Sequence, residues 1–217
     1  MSRAVNSRSG ESRSQADLAY LTLRDLVVTL QLPPGRPMQE EPLTAELGIG
    51  RTPFREAVKR LEAESLVAIY PRRGTFVTEV NITDHALIAD VRHRLEGHAA
   101  RRAAERITAA ERAELAELRA DAESTSEISS VMDLDTRVHR AVYRCTHNRY
   151  LETTLNHYYN RALRIWYLFA DQLPDLSEHV AEHAELIEAI ADGDPDRADD
   201  VAVRHVDHFE QAIRQVI

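Results

Sequence analysis

Apolar residues at Phe54, Ala57, Val58 and Leu61 follow the i, i+3, i+4, i+7 spacing that lays one buried stripe along an α-helix. Thr52 stands as its expected N-cap, with Pro53 in the first helical position, where a missing N–H costs nothing. The period then changes, and "LVAIY", "PRRG" and "TFVTEV" read as strand, turn and strand. Upstream, a pattern including Leu18, Leu21, Val27 and Leu30 predicts a helix from about Gln15 to Gln31. "LPPGRP" stops it, because Pro33 and Pro34 cannot continue a helix and Gly35 supplies a turn. A short helix follows at about Glu41 to Leu47, ended by Gly48. Helix, short helix, turn, helix and hairpin make a winged helix-turn-helix.

From about Thr83 the pattern is helical only, with spans at 84–105, 108–123, 127–146, 149–170, 178–192 and 194–215. Their breaks fall at "ITAAE", "STSE", "THN", "LPDLS" and "DGDP". The expected organisation is a disordered arm over 1–14, a winged helix-turn-helix over 15–80 and a six-helix bundle over 81–217, a mainly α fold joined at "NITD".

Composition fits this reading: seven glycines, 43% hydrophobic and 29% charged residues describe an ordinary globular chain of 217 residues. The single cysteine, Cys145, excludes an internal disulfide framework and any multi-cysteine metal motif, so a reducing cytoplasm is the expected location. No apolar run approaches the roughly 18 residues of a membrane span. The first fifteen residues carry arginines without an apolar core and do not read as a signal peptide.

Charge changes the picture more. The chain carries a net −9, yet between Arg51 and Arg73 six basic residues face three acidic ones, a local +3. Arg55 and Lys59 lie one helical turn apart and off the apolar stripe, so both can face a major groove, where arginine holds guanine through two hydrogen bonds. Arg51 and Thr52 at the helix start suit a phosphate. Arg60 follows Glu56 by one turn and is expected to pair with it. Arg72 and Arg73 sit beside Gly74 at the hairpin tip, placed for a minor groove or a phosphate. A solvated charged face would show the same spacing; the arginine-tipped hairpin favours DNA.

In the helical part the informative residues are histidines. Asp135 and His139 share one helix face, and His183 and His205 lie on two later helices. One carboxylate and three imidazoles would suit zinc, nickel, iron or manganese. Ten histidines leave other sets open, including His179 with His183 and His205 with His208. Arg92, Arg161 and Arg164 are candidates to hold a small carboxylate effector, against the alternative that they pair with neighbours such as Glu96 or Asp90. Tyr158, Trp166 and Tyr167 could line a cavity or simply fill the core.

"LGIGRTPFREAVKRLEAESLVAIYPRRGTFV" closely resembles the winged helix of the GntR family of bacterial transcription regulators. The resemblance implies base and phosphate contacts for Arg51 and Arg55, a phosphate contact for Thr52 and a groove contact for the Arg72–Gly74 tip. Gly50 replaces the family's usual serine before Arg51, which removes one phosphate hydrogen bond, and Ser65 replaces the usual glycine before Leu66, expected to be a minor adjustment. "VRHRLEGHAARRAAER", "DLDTRVHRAVYRCTHNRYL" and "EHAELIEAIADGDPDRADDVAVRHV" resemble the FCD effector domain of the FadR subgroup, and six helices suggest its VanR-like branch. That resemblance implies a metal held by Asp135, His139, His183 and His205, with His179 and His208 as bystanders or supporting groups.

The expected function is therefore a ligand-responsive regulator, in the first instance a repressor, binding a palindromic operator as a homodimer. The alternative is a helical-bundle metalloenzyme with the winged helix used for protein contacts. No HExxH, GxSxG or phosphate-binding glycine loop supports an enzyme. A purely structural metal, with arginines alone holding the effector, is a third reading.

Overall fold

A computed structural model describes residues 14–124, 128–173 and 177–216. The arm expected over 1–14 lies outside them, Ser14 excepted. Helix α1 (Gln15–Val28) opens with a capping box: Ser14 Oγ accepts from the Asp17 N–H, and Asp17 accepts from the Ser14 N–H. It ends three residues earlier than its periodicity suggests. Leu30 takes a left-handed φ of 58° and the Leu32 N–H donates to the Leu26 carbonyl, a reversal that buries Leu32.

Helix α2 (Glu40–Leu47) ends on Gly48 at φ 65°, as expected of a glycine cap. Helix α3 (Arg51–Ala63) corrects one expectation. Its N-cap is Gly50, not Thr52, because the Gly50 carbonyl accepts the first helical hydrogen bond, from Phe54. Pro53 is thus the third helical residue, still among those whose N–H has no partner inside the helix. Phe54, Ala57, Val58 and Leu61 are buried, and α3 packs against α1.

The end of α3 is tighter than expected. The Leu66 N–H donates to the Leu61 carbonyl and Ser65 sits at φ 59°, a left-handed position that suits glycine. A serine there is strained by about 1 kcal/mol, so it is more than a minor adjustment. Strands β1 (Val67–Tyr70) and β2 (Gly74–Val77) pair antiparallel from Val67–Val77 to Tyr70–Gly74, and Arg72 at φ 63° turns the tip.

Among the described residues six α-helices follow: α4 (His85–Arg106), α5 (Ala109–Ser124), α6 (Ile128–Cys145), α7 (Arg149–Phe169), α8 (Ser177–Asp192) and α9 (Pro195–Val216). Single 3-10 turns at Ile82–Asp84 and Ala170–Gln172 were not apparent in the periodicity. Helix α4 runs against α9 and also touches α6, α7 and α8, which makes it central to the bundle. Its contact with α9 depends on Gly97, where a Cβ would stand 2.1 Å from Asp199 Oδ1 and 2.8 Å from Val203 Cγ2. The core is built from small and branched residues, among them Ala100, Ala103, Leu115, Leu134, Val138 and Ile187. The chain divides into two compact units at Glu79/Val80.

Candidate metal centre and nucleic-acid interface

In the first unit, helix α3 presents Arg51, Thr52, Arg55 and Lys59 on its exposed side. The N–H groups of Arg51 and Thr52 precede the first helical hydrogen bond, leaving the helix N-terminus suited to an anion. Arg55 donates to both oxygens of Glu40 on α2, at 2.7 and 3.0 Å, and Arg51 stands 3.9 Å from the same carboxylate. The Arg55 hydrogen bond holds the Glu40 carboxyl below its ordinary range. Glu40 was absent from the sequence reading because its partner lies 15 residues away on another helix.

Arg60 corrects a further expectation. It pairs with Asp17 of α1 at 2.7 Å, not with Glu56, and lies over the Tyr20 ring, whose hydroxyl donates to Glu64. It therefore ties α3 to α1. Arg72, Arg73 and Gly74 are exposed at the hairpin tip, with the Arg73 guanidinium 5.8 Å from the Tyr70 ring. A concave surface of 530 Å³ lies between α2, α3 and the wing, lined by Glu40, Arg55, Lys59 and Arg73 among others.

The second unit brings Asp135, His139, His183 and His205 together. One ligand atom from each lies within 4.8 Å of all the others, and all four residues are buried. Helical spacing explains the arrangement: Asp135 and His139 are one turn apart on α6, while α8 and α9 contribute an imidazole each. Asp135 Oδ1 is the focus. The Nε2 atoms of His183, His139 and His205 stand 3.0, 3.5 and 3.8 Å from it, and Nε2 of His179 stands at 2.9 Å. Oδ2 of Asp135 accepts from the Tyr159 hydroxyl.

Behind this ring stand further carboxylates. Glu182 Oε2 is 3.0 Å from His205 Nδ1, and its Oε1 is 2.5 Å from His208 Nδ1. Glu96 Oε2 is 3.4 Å from His139 Nδ1, and Glu96 Oε1 accepts from Tyr143 and from Arg92. Carboxylates at Nδ1 turn the opposite nitrogen, Nε2, toward the centre and fix it as the lone-pair face. Glu182, Tyr143 and Tyr159 were missed by sequence reasoning; Glu96 was named only as a possible partner of Arg92, from their i, i+4 spacing, and not as a support for His139.

Charge and burial are in tension here. Burial alone would raise the Asp135 carboxyl, but the charged His139 and the surrounding imidazoles hold it well below its ordinary value. Burial would lower His139, yet Glu96 and Asp135 on either side push it up to about 9, so the ring is charged without a cation and must release its Nε2 proton to act as a ligand. Burial and the neighbouring His205 lower His179 to about 4 and His183 well below its ordinary value, so both are neutral and can donate a lone pair. Nε2 of His183 faces Asp135 Oδ1 at 3.0 Å but out of line for a good hydrogen bond, and its buried Nδ1 has no partner among the described residues. A neutral Nε2 so placed offers its lone pair to a cation better than it offers a proton to the carboxylate. The donor set fits a divalent transition metal.

Of the three arginines expected to hold an effector, Arg92 is buried and bonded through Nε and Nη2 to Glu96 at 2.9 and 2.8 Å. This is the pairing weighed against an effector role, and Arg92 also lies over the Tyr159 and Trp166 rings. The cleft beside it encloses 10 Å³, about the room of one water. Arg164 is buried within α7 and Arg161 is half-buried there. Trp166 is core, stacked on Phe209, while Tyr158 and Tyr167 are half-buried on α7.

Residues 15–77 match the family model "Bacterial regulatory proteins, gntR family", and residues 87–208, more than half the chain, match the FCD domain. The chain belongs to the GntR family, with an FCD domain. This GntR protein is accordingly a DNA-binding transcription regulator and not an enzyme. The HTH-type transcriptional repressor RspR of Escherichia coli is 22% identical over 200 residues, 91% of this chain and 88% of that protein. An HTH-type regulator from an unstable DNA locus of Streptomyces ambofaciens is 45% identical over 71 residues, 33% of this chain and 29% of that one. The solved structure of E. coli McbR/YncC shares the fold at a TM-score of 0.81 and 20% identity, over 94% of this chain and 99% of that one. Among the described residues no helix is long and apolar enough to cross a membrane.

Proposed function

We propose that this GntR regulator is a metal-dependent, carboxylate-responsive repressor of the FadR subgroup, VanR-like branch. The observation that carries the sensing half is the meeting of buried imidazole nitrogens on Asp135 Oδ1, with His183 Nε2 3.0 Å from that oxygen. Asp135, His139, His183 and His205 hold the metal, and Glu96 and Glu182 orient His139 and His205 from behind. A bound divalent cation supplies a Lewis-acidic seat for a small carboxylate. Six helices in the second unit support the branch, and the name of the E. coli relative supports repression.

In the first unit Arg51, Thr52, Arg55 and Lys59 read and hold the major-groove side, while Arg72, Arg73 and Gly74 take the adjacent backbone or minor groove. A homodimer presents two such heads to a palindromic operator. Arg161 and Arg164 remain the candidates for the effector's charge; Arg92 serves it through the Glu96 network, since its guanidinium is already bonded. Elemental analysis of untagged protein beside an Asp135→Ala/His183→Ala variant tests the metal. About one transition metal per chain, lost in the variant, is expected; folded wild-type protein that takes up none after supply of each metal would end this reading.

A further inference from the structure

We infer that His179 is a fifth protein ligand to the metal, so that the site is a four-imidazole, one-carboxylate donor set. This rests on the metal reading above. His179 and His183 are one turn apart on α8, as Asp135 and His139 are on α6, so each of the two helices sends a pair of donors to the same point. Nε2 of His179 lies 2.9 Å from Asp135 Oδ1, closer than the corresponding nitrogens of His139 at 3.5 Å and His205 at 3.8 Å. The His179 ring is buried, with its centroid 4.2 Å from that of His205 and 4.7 Å from that of His183. Its nitrogen falls just outside the 4.8 Å set that joins Asp135, His139, His183 and His205, though it reaches the same oxygen, so joining the shell asks only a small shift of the ring.

The competing role for His179 is a hydrogen bond that only orients the Asp135 carboxylate. Tyr159 already fixes that carboxylate through Oδ2, while Oδ1 is the oxygen on which all four Nε2 atoms close. A cation held at that oxygen would be within reach of His179 as well as of the other three imidazoles. Five protein donors exceed a tetrahedral shell. They favour a five- or six-coordinate ion such as nickel or iron over structural zinc, and in an octahedral shell they leave one position. The effector carboxylate then binds through a single oxygen.

Affinity alone cannot separate the two roles, because losing a residue that merely supports a ligand also costs about 10–100-fold in metal binding. Counting the coordinated imidazoles does. The full chain loaded with cobalt(II) should show four strongly shifted imidazole N–H resonances in its proton NMR spectrum, from His139, His179, His183 and His205. The His179→Phe variant, which keeps an aromatic ring against Trp166 and His205, should show three, and His179→Gln provides the same reading if the phenylalanine disturbs folding. Three shifted resonances in the wild type would overturn the inference while leaving the metal site standing. Wild-type protein that binds no cobalt would overturn both.

Discussion

Arg55 donates from Nε to Glu40 Oε2 at 2.7 Å and from Nη2 to Oε1 at 3.0 Å, so one half-buried carboxylate of α2 holds this side chain of the basic helix in a fixed direction. A bidentate fork holds the guanidinium plane in direction as well as in place. Because Arg55 is solvent-exposed and Glu40 only half-buried, the pair adds little to stability, and its effect lies in orientation. The Arg55→Ala variant is expected to lose at least about tenfold in operator affinity with an unchanged melting temperature, since one good base contact is worth about 1–3 kcal/mol. Fluorescence anisotropy on operator DNA, with calorimetry beside it, checks both halves.

Arg92 and Glu96 form a buried ion pair on α4, behind His139. The Arg92 guanidinium holds the Glu96 carboxyl down to about 2 against the upward push of burial, so this acid stays ionised throughout the working range. Glu96→Ala leaves Arg92 buried and unpaired, at a cost of about 3–5 kcal/mol. Urea unfolding of the metal-free protein should register that loss, whereas a change below about 1 kcal/mol would remove the pair from the account.

Ser65 holds a left-handed φ of 59° at the end of α3, in a position where the family usually has glycine. Ser65→Gly should therefore stabilise the first unit by about 0.5–1 kcal/mol, since glycine adopts this conformation without its Cβ penalty. Thermal unfolding followed by circular dichroism checks the sign.

The Cys145 thiol is buried, and burial together with the nearby Glu111 charge pushes it up to about 12. Its thiolate is accordingly scarce near neutral pH, and the nucleophile appears only as the pH rises toward that value. Native protein should react with a thiol reagent at pH 8 far more slowly than urea-unfolded protein, and a comparable rate in both would contradict the burial.

Helix placement was legible because periodicity is local: every helix of the second unit begins and ends within one residue of its expected span. The end of α1 was not, because the same apolar Leu30 that extends the pattern is the residue at which the chain reverses. The start of α3 moved from Thr52 to Gly50 because a backbone carbonyl, invisible in a pattern of side chains, defines the cap. The carboxylate and three of the imidazoles were legible through the resemblance, and the fourth imidazole could be named but not placed. Glu40, Glu96 and Glu182 act across helices, and such partners depend on packing angles that a sequence does not carry.

The most direct test of the account joins its two halves. The affinity of the metal-loaded full chain for operator DNA should be measured with and without a series of small carboxylic acids, beside the Asp135→Ala/His183→Ala variant. A coupling of about 1–3 kcal/mol, or 5–150-fold, is the usual scale of such linkage. At least one acid should weaken operator binding within that range in the wild type and leave the variant unaffected. Equal weakening in both proteins would contradict it, because the sensor would then lie elsewhere than at Asp135 and His183.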